Sequence, residues 1–250
     1  MWDRPALMNT VANALFGLAA LLVLAAAAHY AARLPAFSLR EVRVETSLQH
    51  VTRDQIEDVV RRELRGNFFT VNLAATRAAF ERLPWVRHVN VRRQWPAQLD
   101  VALEEHVPFA RWGSTALVNT QGEVFEAAYD GELPVFIGPD GTAREIAIQY
   151  RYFRRSLGAI GETPVQVQVT PRRAWQLRLG SGLTLALGRE NVEARLARFV
   201  AAYGRTLGRL ARKVDYVDLR YTNGFAVRIP ELRHEKPAPA LTPAQARRTG

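Results

Sequence analysis

Leu83 to Leu103 reads LPWVRHVNVRRQWPAQLDVAL, and this stretch decides the architecture of the first half of the chain. Val86, Val89 and Val91 fall in a β-like run, and Leu99, Val101 and Leu103 alternate strictly with Asp100, Ala102 and Glu104. Period-two alternation is the signature of a strand with one buried face. Pro96 and Ala97 supply the turn between the two strands. Leu83-Pro84 closes whatever precedes, because proline cannot continue a helix.

Two helical faces lie upstream. Thr52 is an N-cap with Gln55 three residues on, a capping-box pattern, and Ile56, Val59, Val60 and Leu64 follow as one apolar stripe. Gly66 ends that helix. Asn72 caps the next, whose face is Leu73, Thr76, Phe80 and Leu83. Leu39, Val42 and Val44 make a short strand before both. The order strand–helix–helix–strand–strand predicts two helices on a small sheet, with Ile56, Val59, Val60, Leu73, Phe80, Leu83, Val89, Val91, Leu99 and Val101 as its core. Trp85 and Trp95 are read as core or edge packing residues that fix the helix against the hairpin.

Further upstream, Pro5 to Ala32 contains no formally charged residue, and its densest part, Val11 to Ala28, reads VANALFGLAALLVLAAAA. A bilayer core needs roughly 20 apolar residues in a helix, so this stretch can span once. A cleaved signal peptide would have a shorter apolar run and a more basic start than Arg4 beside Asp3, although Ala25 and Ala27 form an A-x-A site. The mature protein is therefore expected to keep the segment. Arg33, Arg40 and Arg43 follow the span, so charge counting leaves its orientation open.

Downstream, Ala116-Leu117-Val118 and Val124-Phe125 flank a polar glycine loop, read as a hairpin. Leu133 to Ile137 is a short strand, and Ile146, Tyr150, Phe153 and Leu157 mark a helix. Three alternating runs follow, through Val165, Val167 and Val169, then Trp175, Leu177 and Leu179, then Leu183, Leu185 and Leu187, read as antiparallel strands. Asn191 or Glu190 starts a second helix buried through Val192, Leu196, Phe199, Val200 and Tyr203, with Arg195 and Arg198 toward solvent. Tyr216 to Ile229 holds two short strands about Asn223-Gly224. After Pro230 the composition turns to Pro, Ala, Arg and Thr, expected to stay unfolded.

These residues resemble a known family. A βααββ module after a single span looks like a POTRA domain. Leu83-Pro84-Trp85-Val86, Val91 to Pro96 with Leu99, and Val107 to Trp112 are similar to the bacterial cell-division FtsQ/DivIB family. So are Leu177 to Arg189 (LRLGSGLTLALGR), Arg195 to Val200, and Val217 to Val227 (VDLRYTNGFAV). The resemblance implies an α+β protein: a short cytoplasmic N-terminus (1–10), a transmembrane helix (11–32) and a POTRA domain (37–106). A β-rich domain with an antiparallel sheet and two helices (107–231) and a tail (232–250) complete it. It also implies a bulk outside the cytoplasm, residence in the inner membrane at the division septum, and a scaffold that links early and late division proteins and influences septal peptidoglycan synthesis. The partners it implies are the periplasmic segments of FtsB and FtsL and other divisome proteins, with no small-molecule substrate. Many members carry a longer cytoplasmic N-terminus than this chain.

An extended partner segment can add to an uncovered sheet edge as a further strand. Tyr221 to Ile229 ends the folded region and offers Tyr221 and Phe225 as exposed aromatics. The expected partner site is Arg220, Tyr221, Asn223, Gly224, Phe225, Ala226, Val227 and Ile229. The resemblance adds Arg172 and places the FtsB contact on this strand and on Tyr221.

Other classes fare worse. The chain has no cysteine, which excludes a disulfide scaffold, a thiolate metal site and a Cys nucleophile. His29, His50, His88, His106 and His234 lie far apart, so no metal is expected. Its serines lack a nucleophile elbow, Gly138 to Gly141 is too short for a phosphate loop, and Glu104 and Glu105 point to opposite faces of a strand. No enzyme activity and no cofactor are expected. The net charge of +10 raises nucleic-acid binding, but the arginines are scattered as pairs (Arg92-Arg93, Arg154-Arg155, Arg172-Arg173) with no recognition motif. Anionic lipid headgroups or an acidic partner suit them better. The alternative of a POTRA-bearing translocation or outer-membrane assembly component needs a barrel of many strands, and the later strands are too short and broken by helices.

Overall fold

The computed structural model describes residues 5–32, 37–39, 41–44, 48–209 and 214–229, so the tail expected from 232 to 250 lies outside the described residues. The chain divides into two compact units, 1–106 and 107–250. Helix α1 (Pro5–Ala32) opens the first, and its stretch Met8–Ala31 is long and apolar enough to cross a membrane, with none of it buried against protein.

After α1 come β1 (Glu41–Val44), α2 (Arg53–Glu63), α3 (Leu73–Phe80), β2 (Val86–Gln94) and β3 (Gln98–Glu105). The sheet order is β1-β3-β2. β2 and β3 are antiparallel, joined by the turn in which the Trp95–Pro96 bond is cis, whereas β1 reaches β3 through two helices and lies parallel to it. The capping box at Thr52 is formed, with Gln55 N–H donating to the Thr52 hydroxyl and Thr52 N–H to the Gln55 amide oxygen. Asn72 Oδ1 caps α3 by accepting from the Ala75 N–H. Phe80, Val89, Val91, Leu99 and Val101 are buried as expected, joined by Val51, Val86 and Leu103. Ile56, Val59, Val60, Leu73 and Leu83 only half-bury against them, and α2 has no buried residue. A groove of about 810 Å³ between β1 and α2, lined by Val42, Val44, Leu48, Ile56 and Val60, leaves the last two partly open.

Two tryptophans part company. Trp85 is half-buried on the core and stacks on the His50 ring at 3.8 Å. Trp95 is 66% exposed and meets Phe68 of the α2–α3 loop edge-on at 5.7 Å, so of the two readings it is an edge residue and not a core one. The Glu105 carboxylate, not singled out as structural by its sequence neighbours, accepts backbone N–H groups from Gln49, His50 and Val51, the last at 2.7 Å. Burial pushes this carboxyl up, but the three backbone donors and His50 more than offset it and hold its pKa low.

The second unit runs β4 (Pro108–Trp112), β5 (Ala116–Asn119), β6 (Val124–Phe125), β7 (Val135–Ile137), α4 (Ala143–Gly158), β8 (Pro164–Val169), β9 (Trp175–Leu179), β10 (Thr184–Gly188), α5 (Val192–Tyr203), β11 (Tyr216–Asp218) and β12 (Ala226–Arg228). They form one nine-stranded sheet in the order β12-β11-β10-β9-β8-β7-β4-β5-β6. The sheet is mixed, not antiparallel as expected. β7–β8 and β10–β11 are parallel, as is β4–β7. The cause is connectivity: α4 carries the chain from β7 to β8 and α5 from β10 to β11, and a helical crossover returns a strand in the same direction. α4 buries Ile146, Ala147, Tyr150, Phe153 and Leu157, and α5 buries Leu196 and Phe199, against Val167, Leu177, Leu185 and Val217.

Candidate partner-docking edge

β12 is the last strand of the sheet. It pairs antiparallel with β11 (Tyr216 with Arg228, Val217 with Val227, Asp218 with Ala226), and among the described residues no strand occupies its other side. All three of its residues are exposed. A strand so placed presents unpaired backbone N–H and C=O groups along its outer edge. Its two strands do not meet in a tight turn at Asn223-Gly224, however. Leu219 to Phe225 form a wide loop, because Arg220 and Phe225 are each tied down elsewhere.

Phe225 is the clearest difference from expectation. It is half-buried, edge-on to Phe199 with centroids 6.1 Å apart, so it anchors the loop to α5 and is not an exposed aromatic. Tyr221 is 58% exposed and remains available. Val227 is 36% exposed, Asn223 is exposed, and Gly224 and Ile229 are half-buried. The Arg198 guanidinium donates to the carbonyls of Thr222 and Tyr221, fastening the loop from α5. Arg198 was expected merely to face solvent.

Arg172 and Arg220 lie 48 residues apart in sequence, and the fold brings both to one concavity of about 350 Å³, lined also by Ala174, Arg189, Glu190 and Arg195 around Gly188. Arg172 sits in the β8–β9 turn. There Thr170 accepts N–H groups from Arg173 and Ala174, and Arg173, at a left-handed φ of 62°, pairs with Glu145. Arg220 Nη2 donates to Asp218 Oδ2 at 2.6 Å, Arg220 Nε to Oδ1 at 2.9 Å, and the Arg220 backbone N–H to Oδ1 at 3.0 Å. Asp218 is buried, and its bonds from Arg220 hold its carboxyl below the usual carboxylate range, while the same pairing raises Arg220. Arg195 Nη1 donates to the Leu187 carbonyl at 2.6 Å. This half-buried arginine was also expected to face solvent.

Gly188 makes the crowding possible. Its φ is +76°, and a Cβ there would stand 2.6 Å from Arg195 Nη1 and 3.1 Å from Arg220 Cγ. Four arginines thus gather at the ends of β9, β10 and β11 with Glu190, and Asp218, which holds Arg220, pairs in register with Ala226 of the edge strand. The arrangement suits a carboxylate-bearing peptide, with backbone bonds along β12 and charge at its end. Gly188, Arg189, Arg195 and Asp218 were not singled out as site residues by sequence, although all four lie in the stretches that carry the family resemblance. Among the described residues no group of three or more His, Asp or Glu side chains could hold a metal ion.

Comparison with known proteins agrees with this layout. Residues 37–106 match the model of the POTRA domain, FtsQ-type, and residues 110–220 match that of cell division protein FtsQ/DivIB, C-terminal. The second match stops at Arg220, just short of β12. The chain is 46% identical over 233 residues to a cell division protein FtsQ of Nitrosospira multiformis, covering 91% of this chain and 99% of the relative. It is 41% identical to one from Burkholderia pseudomallei, covering 93% and 96%, and 35% identical to one from Bordetella pertussis, covering 96% and 99%. With an apolar N-terminal helix, a POTRA domain and a β-rich domain in that order, the chain belongs to the FtsQ/DivIB family of cell-division proteins.

Proposed function

We propose that this protein is a non-catalytic scaffold of the division machinery that holds the FtsB and FtsL membrane proteins, and that a partner segment adds to β12 as a tenth strand. The observation that carries this reading is the exposed outer edge of β12, whose Ala226 lies in register with Asp218, the partner of Arg220. A strand partner gains backbone hydrogen bonds along Ala226–Arg228, and an acidic side chain near its end meets the guanidinium cluster. Tyr221 supplies apolar area at the loop. In this reading α1 anchors the protein in the inner membrane with its N-terminus cytoplasmic, both folded units lie on the periplasmic side at the septum, and the contact links early and late division proteins.

The test is binding of a purified FtsB–FtsL complex to folded variants. Tyr221→Ala should weaken binding by about 2 kcal/mol, as loss of an interface aromatic does. Arg172→Glu should weaken it as well, more at low salt than at high salt. Unchanged circular dichroism and melting temperature are the controls. If both variants bind as tightly as the parent, the interface lies elsewhere. Protease protection in intact spheroplasts checks sidedness, since the proposed orientation requires both units to be cleaved only after the outer membrane is opened.

A further inference from the structure

Among the described residues of the first unit, the large hydrophobic side chains exposed outside α1 are Phe69, at 48%, and Trp95, at 66%. They are far apart in sequence yet share one neighbour. Phe68 meets Phe69 edge-on at 5.2 Å and Trp95 edge-on at 5.7 Å. Phe37 meets Phe69 at 5.0 Å, and its carbonyl accepts the Phe68 N–H at 2.8 Å. The Trp95 turn is tied to the same loop by Arg93, whose Nη2 donates to the Val71 carbonyl at 2.8 Å. Two exposed aromatics on a fixed aromatic base form a patch that water does not favour.

Its place along the chain identifies what covers it. α1 has 28 residues, about 42 Å of helix at 1.5 Å each, enough to cross the hydrocarbon core and end among the headgroups. Only five residue steps separate Ala32 from Phe37, a reach of at most about 18 Å when fully extended. The aromatic patch is therefore tethered close to the membrane surface. Its charge also fits: Arg65, Arg77 and Arg93 flank Phe68, Phe69 and Trp95 in the chain, while Arg82, Arg87 and Arg92 pair with Glu63, Glu104 and Asp100. Aromatic rings settle at the headgroup level, and nearby arginines favour anionic lipid.

We propose that Phe69 and Trp95, on their Phe37–Phe68 base, dock the POTRA unit on the membrane interface next to its own transmembrane helix, with anionic headgroups facing the flanking arginines. The contact restricts the swing of the unit about the segment that follows α1.

The chain has no cysteine, so a single introduced one reports position cleanly. A nitroxide at Gln94→Cys, beside Trp95, is compared with one at Asp54→Cys in the first turn of α2, the end of that helix remote from the Phe68 loop. Full-length protein is reconstituted in vesicles of phosphatidylethanolamine and phosphatidylglycerol. Collisions with a water-soluble nickel chelate should fall several-fold at position 94 relative to position 54, while collisions with oxygen rise. Phe69→Ser with Trp95→Ser should abolish that difference without lowering the melting temperature, since both rings lie outside the core, and replacing phosphatidylglycerol by phosphatidylcholine should reduce it. Equal, water-like collision rates at the two positions would overturn the proposal. So would a label at 94 that is water-like in vesicles of this protein alone and shielded only when a partner complex is added, because the patch would then be a protein-binding surface.

Discussion

The two folded units use helices in opposite ways. In the second, α4 and α5 lay apolar stripes on the sheet: Ile146, Phe153, Leu157, Leu196 and Phe199 have no measurable exposure. In the first, α2 carries an equally regular stripe in Ile56, Val59 and Val60, and none of it is buried. Beside the partial packing of that stripe, polar contacts fix where α2 starts. Its capping box satisfies the first turn, and the Glu105 carboxylate at the end of β3 gathers the N–H groups of Gln49, His50 and Val51 just before it. A regular apolar period therefore establishes that a helix has a preferred face, not that the face is fully covered. The unit that follows α1 has the more exposed helix, and the unit that carries the candidate edge strand has the buried ones.

The largest effect that could break this comparison lies in α4. Phe153→Ala empties a site at the centre of the second unit and should cost about 3–5 kcal/mol, read as a lowered melting temperature or denaturant midpoint. Phe80→Ala should cost a similar amount in the first unit, because Phe80 comes from α3 and is fully buried. If α2 is held as described, Glu105→Gln should cost about 1–3 kcal/mol, since charged acceptors of backbone N–H groups are worth more than neutral ones. The sign of its pH dependence follows. Glu105 has a lowered folded-state pKa, so its contribution is complete above the ordinary carboxylate range. It is lost as pH falls through that range to the lowered value. Glu105→Gln should flatten this acid limb, as followed by hydrogen exchange in residues 48–63. The smallest effect belongs to the α2 stripe itself. Val59→Ala should cost about 1 kcal/mol, because only part of the removed surface was buried. A loss as large as that of Phe80→Ala would show that the α2 face is closed against the sheet, and the comparison would fail.

What the amino-acid order makes legible is whatever is local. Thr52 with Gln55, Asn72, and the alternation from Leu99 to Leu103 each act within a few residues, and each appears as read except that Asp100 is also buried, beside Arg92. The three alternating runs pair antiparallel as read, in β8, β9 and β10, but the parallel pairs β4–β7, β7–β8 and β10–β11 were not legible, because period two is the same in both kinds of pair and only the connections between strands distinguish them. The candidate edge divides the same way. Tyr221 and the edge position of β12 follow from the turn to Pro, Ala, Arg and Thr after Pro230. The burial of Phe225 depends on Phe199 in another element, and the convergence of Arg172, Arg195 and Arg220 on Gly188 depends on a three-element packing that no spacing encodes. Asp218 is an instance within two residues: its carboxylate orients Arg220, yet in an alternating Val-Asp-Leu-Arg run it reads as one more solvent-facing acid.

The central claim is that β12 receives a partner strand, and amide hydrogen exchange of residues 224–229 tests it most directly. On addition of a purified FtsB–FtsL complex, the amides of Ala226, Val227 and Arg228 that do not bond β11 should slow markedly, while those of β6 at the opposite edge of the sheet keep their rates. If the complex binds and exchange at Ala226–Arg228 stays as fast as in the free protein, the edge-strand account is contradicted.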